Sequence, residues 1–457
     1  MKTINEISDI ANLTLSKQKI STNEKYRFLT YIMKVPVEDG TLLHNFLTGQ
    51  TLLLNEEEVA DFNTWKNKEL FEFLVESWML VTESQNERFL YDLLFQMTKL
   101  SNQRHNICSF TIFPTTDCNA RCFYCFENGK KRYSMTEKTA LDVAKYIIKV
   151  SKGSNVHIQW FGGEPLYNLK VIEIITNYLL ENNVKLLTTM ISNGYLFDEE
   201  LIIRAKNEWN LDRVQITLDG TRDIYNRVKN YIYDDPNPFN KVVENIKLLI
   251  KYGVKVYIRI NLEKHNIADM TNLIDFIGEE IGPSPNLLVY TWLLYDSRLS
   301  TDKKRNLQEK KELTEKQIEL SNRIKDKKLR FIKPIGNKVI TKACMAEDEA
   351  AVIILPNGKI GKCDHYLESN FIGDIYSNTP FDPEIMKRWK EKRPEIELCK
   401  TCCIFPYCRK LKNCPEFGNE ECDEIEQSFY VNHARQMIVA SYEKYLMETA
   451  TEEENNG

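Results

Sequence analysis

The chain has 457 residues, 42% hydrophobic and 28% charged, with 61 Lys and Arg against 66 Asp and Glu for a net charge of -5. That length supports two to four domains with full cores, and the mildly acidic balance excludes a protein that coats nucleic acid broadly. With 17 Gly, 14 Pro and 49 aromatics the composition is not fibrous or disordered, and the longest apolar stretch, 281–295, is broken by Pro283 and Pro285, which excludes a membrane span there.

The first residues carry Glu6 and Asp9 and no continuous apolar segment, so they do not read as a secretory signal and the expected location is cytoplasmic. Between Tyr26 and Leu54, short apolar runs alternate with the turn signals Asp39-Gly40 and Thr48-Gly49, predicting a small antiparallel sheet. Helical spacing follows, as in Leu70, Phe71, Phe73 and Leu74, then Leu90, Leu93 and Leu94. Residues 1–100 thus predict a small α+β domain of three strands and about three helices.

From Ser109 the pattern switches to alternating strand and helix. Strands are expected at 109–113, 156–161, 185–191, 213–218, 254–260 and 287–294, with amphipathic helices near 136–150, 168–182, 198–208, 239–252 and 266–278. Ser134 with Glu137 suits a capping box, and Gly153 and Gly253 suit helix C-terminal caps. Six such strands predict a parallel sheet curled into a partial barrel over 105–300. Gly162-Gly163-Glu164, Ser192-Asn193-Gly194, Asp219-Gly220 and Asn261 all follow strands, at the end where parallel barrels bind ligands. Residues 301–330 hold 11 Lys or Arg and 6 Asp or Glu of interspersed sign, and read as a solvated linker helix rather than a polyanion patch. Residues 331–430 are rich in loops and cysteines, and 425–448 reads as a closing helix within a C-terminal segment of 431–457 that ends in a frayed tail.

Twelve cysteines without an export signal are expected to be thiols that bind metal or do chemistry. Cys118, Cys122 and Cys125 lie on one loop after the first barrel strand, where three thiolates can bind three irons of a 4Fe-4S cube and leave the fourth open. Zinc is the alternative, although no fourth ligand lies nearby in sequence. Cys108, before the strand, reads as a buried packing thiol.

This loop, with Tyr124 before its last cysteine, resembles that of the radical S-adenosylmethionine (SAM) enzymes over roughly residues 109–295. The resemblance implies a (β/α)6 TIM-like partial barrel and a cluster whose open iron chelates SAM. It also implies SAM contacts from Gly162, Gly163 and Glu164 of the GGEP motif and from Ser192, Asn193 and Asn261. A carboxylate such as Glu164 can accept from the SAM ammonium, and paired glycines permit close backbone approach.

Cys344, Cys363, Cys399, Cys402, Cys408, Cys414 and Cys422 resemble the SPASM extension of that superfamily, which carries two auxiliary 4Fe-4S clusters, making three in all. By the resemblance Cys399, Cys402, Cys408 and Cys422 close one cluster, and Cys344, Cys363 and Cys414 hold the other. Five residues separate Cys408 from Cys414, where the family usually has three, which leaves the roles of Cys414 and Cys403 open. A zinc ribbon is the alternative. Asp364 matches an aspartate assigned as proton acceptor in sulfatase-maturing relatives; as residue types, Asp364 equally suits a turn, and His365 a structural place.

Tyr26-Arg-Phe-Leu, Val35-Pro-Val-Glu-Asp-Gly-Thr-Leu-Leu and Asn45-Phe-Leu-Thr-Gly resemble the winged-helix-like leader-recognition domain of peptide maturases. The implied function is radical modification of a ribosomally made precursor peptide with a leader, by a thioether or carbon-carbon crosslink, fed by a one-electron donor such as flavodoxin or ferredoxin. No nucleic acid or membrane partner is expected. The alternatives are a sulfatase-maturing enzyme that makes formylglycine and a non-catalytic, zinc-binding peptide escort.

Overall fold

A computed structural model describes residues 1–21, 23–104, 106–294, 303–329, 335–336, 339–342, 344–365, 371–377, 383–392, 394–409 and 422–456. Cys414 lies outside the described residues.

The N-terminal domain is richer than three strands and three helices. It comprises β1 (Lys2–Asn5), α1 (Asp9–Thr14), β2 (Tyr26–Phe28), β3 (Ile32–Val37), β4 (Gly40–Asn45), β5 (Thr51–Leu54), α2 (Glu56–Ala60), α3 (Lys68–Glu76), β6 (Leu80–Thr82) and α4 (Glu87–Ser101). The antiparallel sheet runs β1-β5-β4-β3, while β2 and β6 form a separate ribbon. Gly40, with φ 141°, closes the β3–β4 hairpin where a Cβ would sit 2.1 Å from the Leu54 carbonyl oxygen.

The barrel strands are β7 (Ser109–Ile112), β8 (Val156–Trp160), β9 (Leu186–Ser192), β10 (Leu211–Thr217), β11 (Lys255–Leu262) and β12 (Leu287–Leu293). They stand in sequence order and pair in parallel, as the alternation with helices requires. Between them lie α5 (Glu137–Ser151), α6 (Leu169–Glu181), α7 (Glu199–Glu208), α8 (Arg222–Lys229), α9 (Pro238–Lys251) and α10 (Met270–Glu280). Phe110, Ile112, Ile158, Trp160, Val214, Ile216, Val256, Ile258 and Ile260 all face one core under these helices. Helix α5 is capped by Thr136, whose hydroxyl accepts from the Thr139 N–H at 3.1 Å. Ser134 instead bonds the Thr115 hydroxyl at 2.8 Å, so the expected Ser134–Glu137 capping box does not form. Gly253, with φ 73°, ends α9 as expected, its N–H bonded to Ile250 O and that of Val254 to Leu249 O.

The charged stretch is not a linker. It is α11 (Lys303–Asp326), whose Leu320 and Ile324 are fully buried in the barrel core. Gln317 donates to the Thr291 carbonyl of β12 at 3.1 Å, and Arg323 pairs with Asp275 of α10. The helix therefore supplies the sixth crossover position of the barrel. On the opposite edge, β13 (Ala351–Ile354) adds in parallel to β7, followed by β14 (Lys359–Gly361) and β15 (Gly373–Asp374), both antiparallel. The sheet thus has nine strands, and the cysteine-rich region grows from the barrel's own edge. The chain closes with α12 (Pro383–Lys390) and α13 (Glu424–Asn456), which continues through the expected tail as helix.

A second core joins the N-terminal domain to the cysteine-rich region rather than to the barrel. Leu29, Tyr31, Phe46, Tyr91 and Phe95 pack with Cys399, Ile404, Phe405 and the α13 residues Met437, Ile438 and Tyr442. Among the described residues no helix is long and apolar enough to cross a membrane.

Candidate functional site

The cysteine loop leaves the C-terminal end of β7 and is held from three sides. The Asp117 carboxylate accepts from the Cys118 N–H at 2.8 Å, and the Cys118 sulfur accepts from the Ala120 N–H at 3.3 Å. The carbonyl of Lys229, at the end of α8, accepts from the Arg121 N–H at 2.8 Å and lies 4.0 Å from the Cys122 sulfur. The GGEP turn presses against the same loop: a Cβ on Gly162 would lie 2.3 Å from Thr115 O, and one on Gly163 would lie 2.1 Å from Asp117 O. The two glycines thus serve loop-on-loop packing, with Glu164 N–H bonded to Asp117 O at 2.9 Å.

Glu164 is fully buried. Its carboxylate accepts from the Ser192 hydroxyl at 2.9 Å, the Asn193 N–H at 2.8 Å and the Leu166 N–H at 3.2 Å. Burial raises it to about 7 against the pull of those donors. A carboxylate has about four acceptor positions, so one is left for a further donor. Asn193 in turn directs its amide to Asn119 at 2.7 Å and toward the Cys118 sulfur at 3.7 Å. Gly162, Gly163, Glu164, Ser192 and Asn193 are therefore brought together beneath Cys118.

Asn261 belongs to a second buried group, of which the motif reading missed Lys229. Its amide donates to Asp219 at 2.9 Å, and Asp219 also accepts from the Tyr124 hydroxyl at 2.8 Å and pairs with the Lys229 ammonium at 2.9 Å. Lys229 is 3% exposed and Asp219 1%. Asp219 holds the ammonium well above its ordinary range despite burial, which opposes the charge. Tyr124, before the last cysteine of the loop, thus anchors that loop to β10 and α8.

The residues suit a cluster. Burial, with the Glu164 charge nearby, pushes the Cys118 thiol up to about 12, and burial also raises Cys122 and Cys125. Lys229, the nearby buried ammonium, is already paired with Asp219, so a metal's charge is what would turn these thiols into thiolates. Among the described residues no three His, Cys, Asp or Glu side chains converge on one ion position.

Of the remaining cysteines, Cys344 and Cys363 share an apolar cluster with Ala346 and Trp389, whereas Cys399, Cys402, Cys403 and Cys408 lie in the second core around Phe405. Cys422 stands just before α13, its sulfur 3.7 Å from Asp423 O. Burial raises Cys403 to about 11. Cys108 is buried, as expected of a packing thiol. The Asp364 carboxylate lies 3.8 Å from the sulfur of Cys363; it is His365, next in sequence, that reaches the first cysteine loop, its ring 4.5 Å from that of Phe126 and its carbonyl accepting from Lys130 at 3.2 Å.

Residues 112–277 match the model of the radical SAM superfamily. The barrel is a radical SAM domain. Superfamily members are enzymes of radical chemistry. The chain is 23% identical over 362 residues to a cysteine-type anaerobic sulfatase-maturating enzyme of Clostridium novyi, covering 71% of this chain and 95% of that protein. It is 26% identical over 245 residues to the radical SAM cyclopropyl synthase TigE of Paramaledivibacter caminithermalis, covering 50% and 48%. It spans 66%, 40% and 48% of the length of the first three curated relatives it matches. Among solved structures, anSMEcpe with bound AdoMet has a TM-score of 0.55 at 18% identity, covering 74% of this chain and 98% of that one. Streptococcus suis SuiB bound to precursor peptide SuiA has a TM-score of 0.50 at 15% identity, covering 88% and 100%.

Proposed function

We propose that this chain is a peptide maturase that binds a leader-bearing precursor peptide and crosslinks it, through a thioether or a carbon-carbon bond. The observation that carries the peptide reading is the extent of likeness: the fold match to SuiB reaches 88% of the chain, whereas that to anSMEcpe stops at 74%. The N-terminal domain is the natural source of that difference.

In this reading Cys118, Cys122 and Cys125 hold a 4Fe-4S cluster, which when bound with SAM supplies a 5'-deoxyadenosyl radical that abstracts hydrogen from the peptide. Glu164 fixes the β9 loop through Ser192 and Asn193, and its remaining acceptor position meets the SAM ammonium. Lys229 and Asp219 keep Tyr124 and the cysteine loop in place. Cys344, Cys363 and Cys414 hold one auxiliary cluster and Cys399, Cys402, Cys408 and Cys422 the other, and a flavodoxin or ferredoxin delivers electrons. Asp364, whose carboxylate lies beside Cys363, takes the substrate proton.

The leader adds to the N-terminal sheet as a further strand. Of its two outer strands, β3 carries Pro36, which lacks the N–H an added strand needs. The outer edge of β1 borders a cleft of about 370 Å³ lined by Ile4, Ile7, Ser441 and Tyr445, and is the docking edge.

The test is mass spectrometry of the precursor encoded beside the gene after reaction with anaerobically reconstituted enzyme. A mass loss of two hydrogens confined to the leader-bearing peptide supports the reading. Conversion of Cys or Ser to formylglycine in a short sulfatase segment, with the precursor untouched, would replace it by the sulfatase-maturing alternative.

A further inference from the structure

Strand β11 buries Val256, Ile258 and Ile260 against the helices, so Tyr257, Arg259 and Asn261 face the interior of the partial barrel. Arg259 uses one donor: its Nε–H bonds Asn261 Oδ1 at 2.9 Å. Its guanidinium carbon lies 5.1 Å from the ring centroid of Trp292 on the neighbouring strand β12. Trp292 is 54% exposed, uncommonly open for a tryptophan on a barrel strand. Among the described residues, no carboxylate pairs with Arg259, although Asp212 is taken by Lys255 and Asp219 by Lys229. The nearest cross-strand position, Tyr290, is neutral and bonds Gln215 at 2.7 Å.

We propose that Arg259, backed by Trp292, is a recognition residue for a ligand carboxylate inside the barrel. Four N–H donors of a rigid fork remain, beside the Trp292 ring, and a planar fork of that kind can grip a carboxylate bidentately. The inference rests on the proposed reading of the barrel as the reaction site and names its substrate class: a peptide with Asp or Glu beside the modified residue.

The experiment uses reconstituted full-length enzyme, wild type and Arg259→Gln, with iron content and circular dichroism confirming that both are folded. Arg259→Lys serves if the Gln variant does not fold, since it keeps the charge and loses the fork. One arm measures SAM affinity by equilibrium dialysis. The other selects an mRNA-displayed pool of random dodecapeptides on each protein with SAM present. For a substrate carboxylate, wild type enriches Asp and Glu over Asn and Gln by about 10-fold, the variant loses that preference, and SAM affinity holds. A SAM affinity that falls by about 10-fold or more with peptide preference unchanged would assign Arg259 to the cofactor and overturn the proposal. Equal SAM affinity and equal peptide preference in the two folded proteins would overturn the proposal. Wild-type enzyme that holds neither iron nor SAM would instead overturn the underlying functional reading.

Discussion

Phe405 sits between Cys402 and Cys408 in the turn that joins the cysteine-rich region to the N-terminal domain. It is 1% exposed, its ring centroid 4.9 Å from that of Tyr91 and 6.2 Å from that of Tyr31. The Arg88 guanidinium lies 3.7 Å above it and pairs with Glu395 at 2.8 Å. Replacing it by Ala removes a buried ring from a core that cannot collapse without moving two domains, so Phe405→Ala should destabilise that core by about 3–5 kcal/mol. Of this, about 0.5–1.5 kcal/mol comes from the aromatic pairs themselves. Phe89→Ala is the control, since Phe89 is 61% exposed and its loss should change stability by no more than about 0.5 kcal/mol. Urea unfolding of anaerobically reconstituted protein, followed by near-ultraviolet circular dichroism, reads the stability; iron analysis reads the cluster. Iron should fall from about twelve per chain toward about eight, because the turn carries ligands of one cluster. A Phe405→Ala protein that unfolds with wild type and keeps all its iron would refute the shared core.

Lys229→Met should destabilise the barrel by about 3–5 kcal/mol and weaken iron retention, because Asp219 is left buried without its cation; unchanged unfolding would show that Tyr124 and Asn261 alone satisfy Asp219. Gly163→Ala should block assembly of the first cluster while sparing the auxiliary ones, leaving about eight irons, since its Cβ meets a backbone oxygen at 2.1 Å; full iron would mean that the cysteine loop can shift. His44 is fully buried and its pKa is lowered to about 3 by desolvation, so it stays neutral when folded and takes a proton only on unfolding. Its folded pKa lies below the unfolded value, so stability is lost as pH falls below about 6.5, at about 1.4 kcal/mol per pH unit, until about 3. His44→Asn should remove that slope in urea titrations between those limits, and an unaltered slope would assign it elsewhere. Deleting residues 1–6 should leave SAM cleavage intact and lower precursor modification by about 10-fold or more, if β1 is the docking edge; unchanged or higher yield would show that the leader uses another edge.

The barrel was legible because its six strands are apolar runs bounded by turn residues, and they lie within about two residues of the expected limits. Helix α8 escaped notice because Arg222–Lys229 carries only Ile224, Tyr225 and Val228 as apolar residues, too few for a periodic signal. Helix α11 read as a linker for the opposite reason: thirteen charges mask the two side chains, Leu320 and Ile324, that bury it. Strands β1 and β13 to β15 are two to four residues long, below what alternation can reveal. At the site, the cysteines and the GGEP turn were readable because their chemistry restricts residue type. The Lys229–Asp219 pair was not, because a buried ion pair leaves no spacing rule and depends on where α8 returns the chain. Residues 1–100 are not separable by a cut at residue 100, since that cut would expose Phe405 and its neighbours.

The central claim is that Cys118, Cys122 and Cys125, seated on the Glu164–Ser192–Asn193 floor, form the site of reductive SAM cleavage. The most direct measurement is 5'-deoxyadenosine by liquid chromatography after anaerobic reconstitution with iron and sulfide, addition of SAM and reduction with dithionite. The account predicts 5'-deoxyadenosine from wild type and none from the Cys118→Ala, Cys122→Ala, Cys125→Ala triple variant, which keeps about eight irons on its auxiliary sites. Stoichiometric zinc without iron in anaerobically purified wild type, or equal 5'-deoxyadenosine from both proteins, would contradict it.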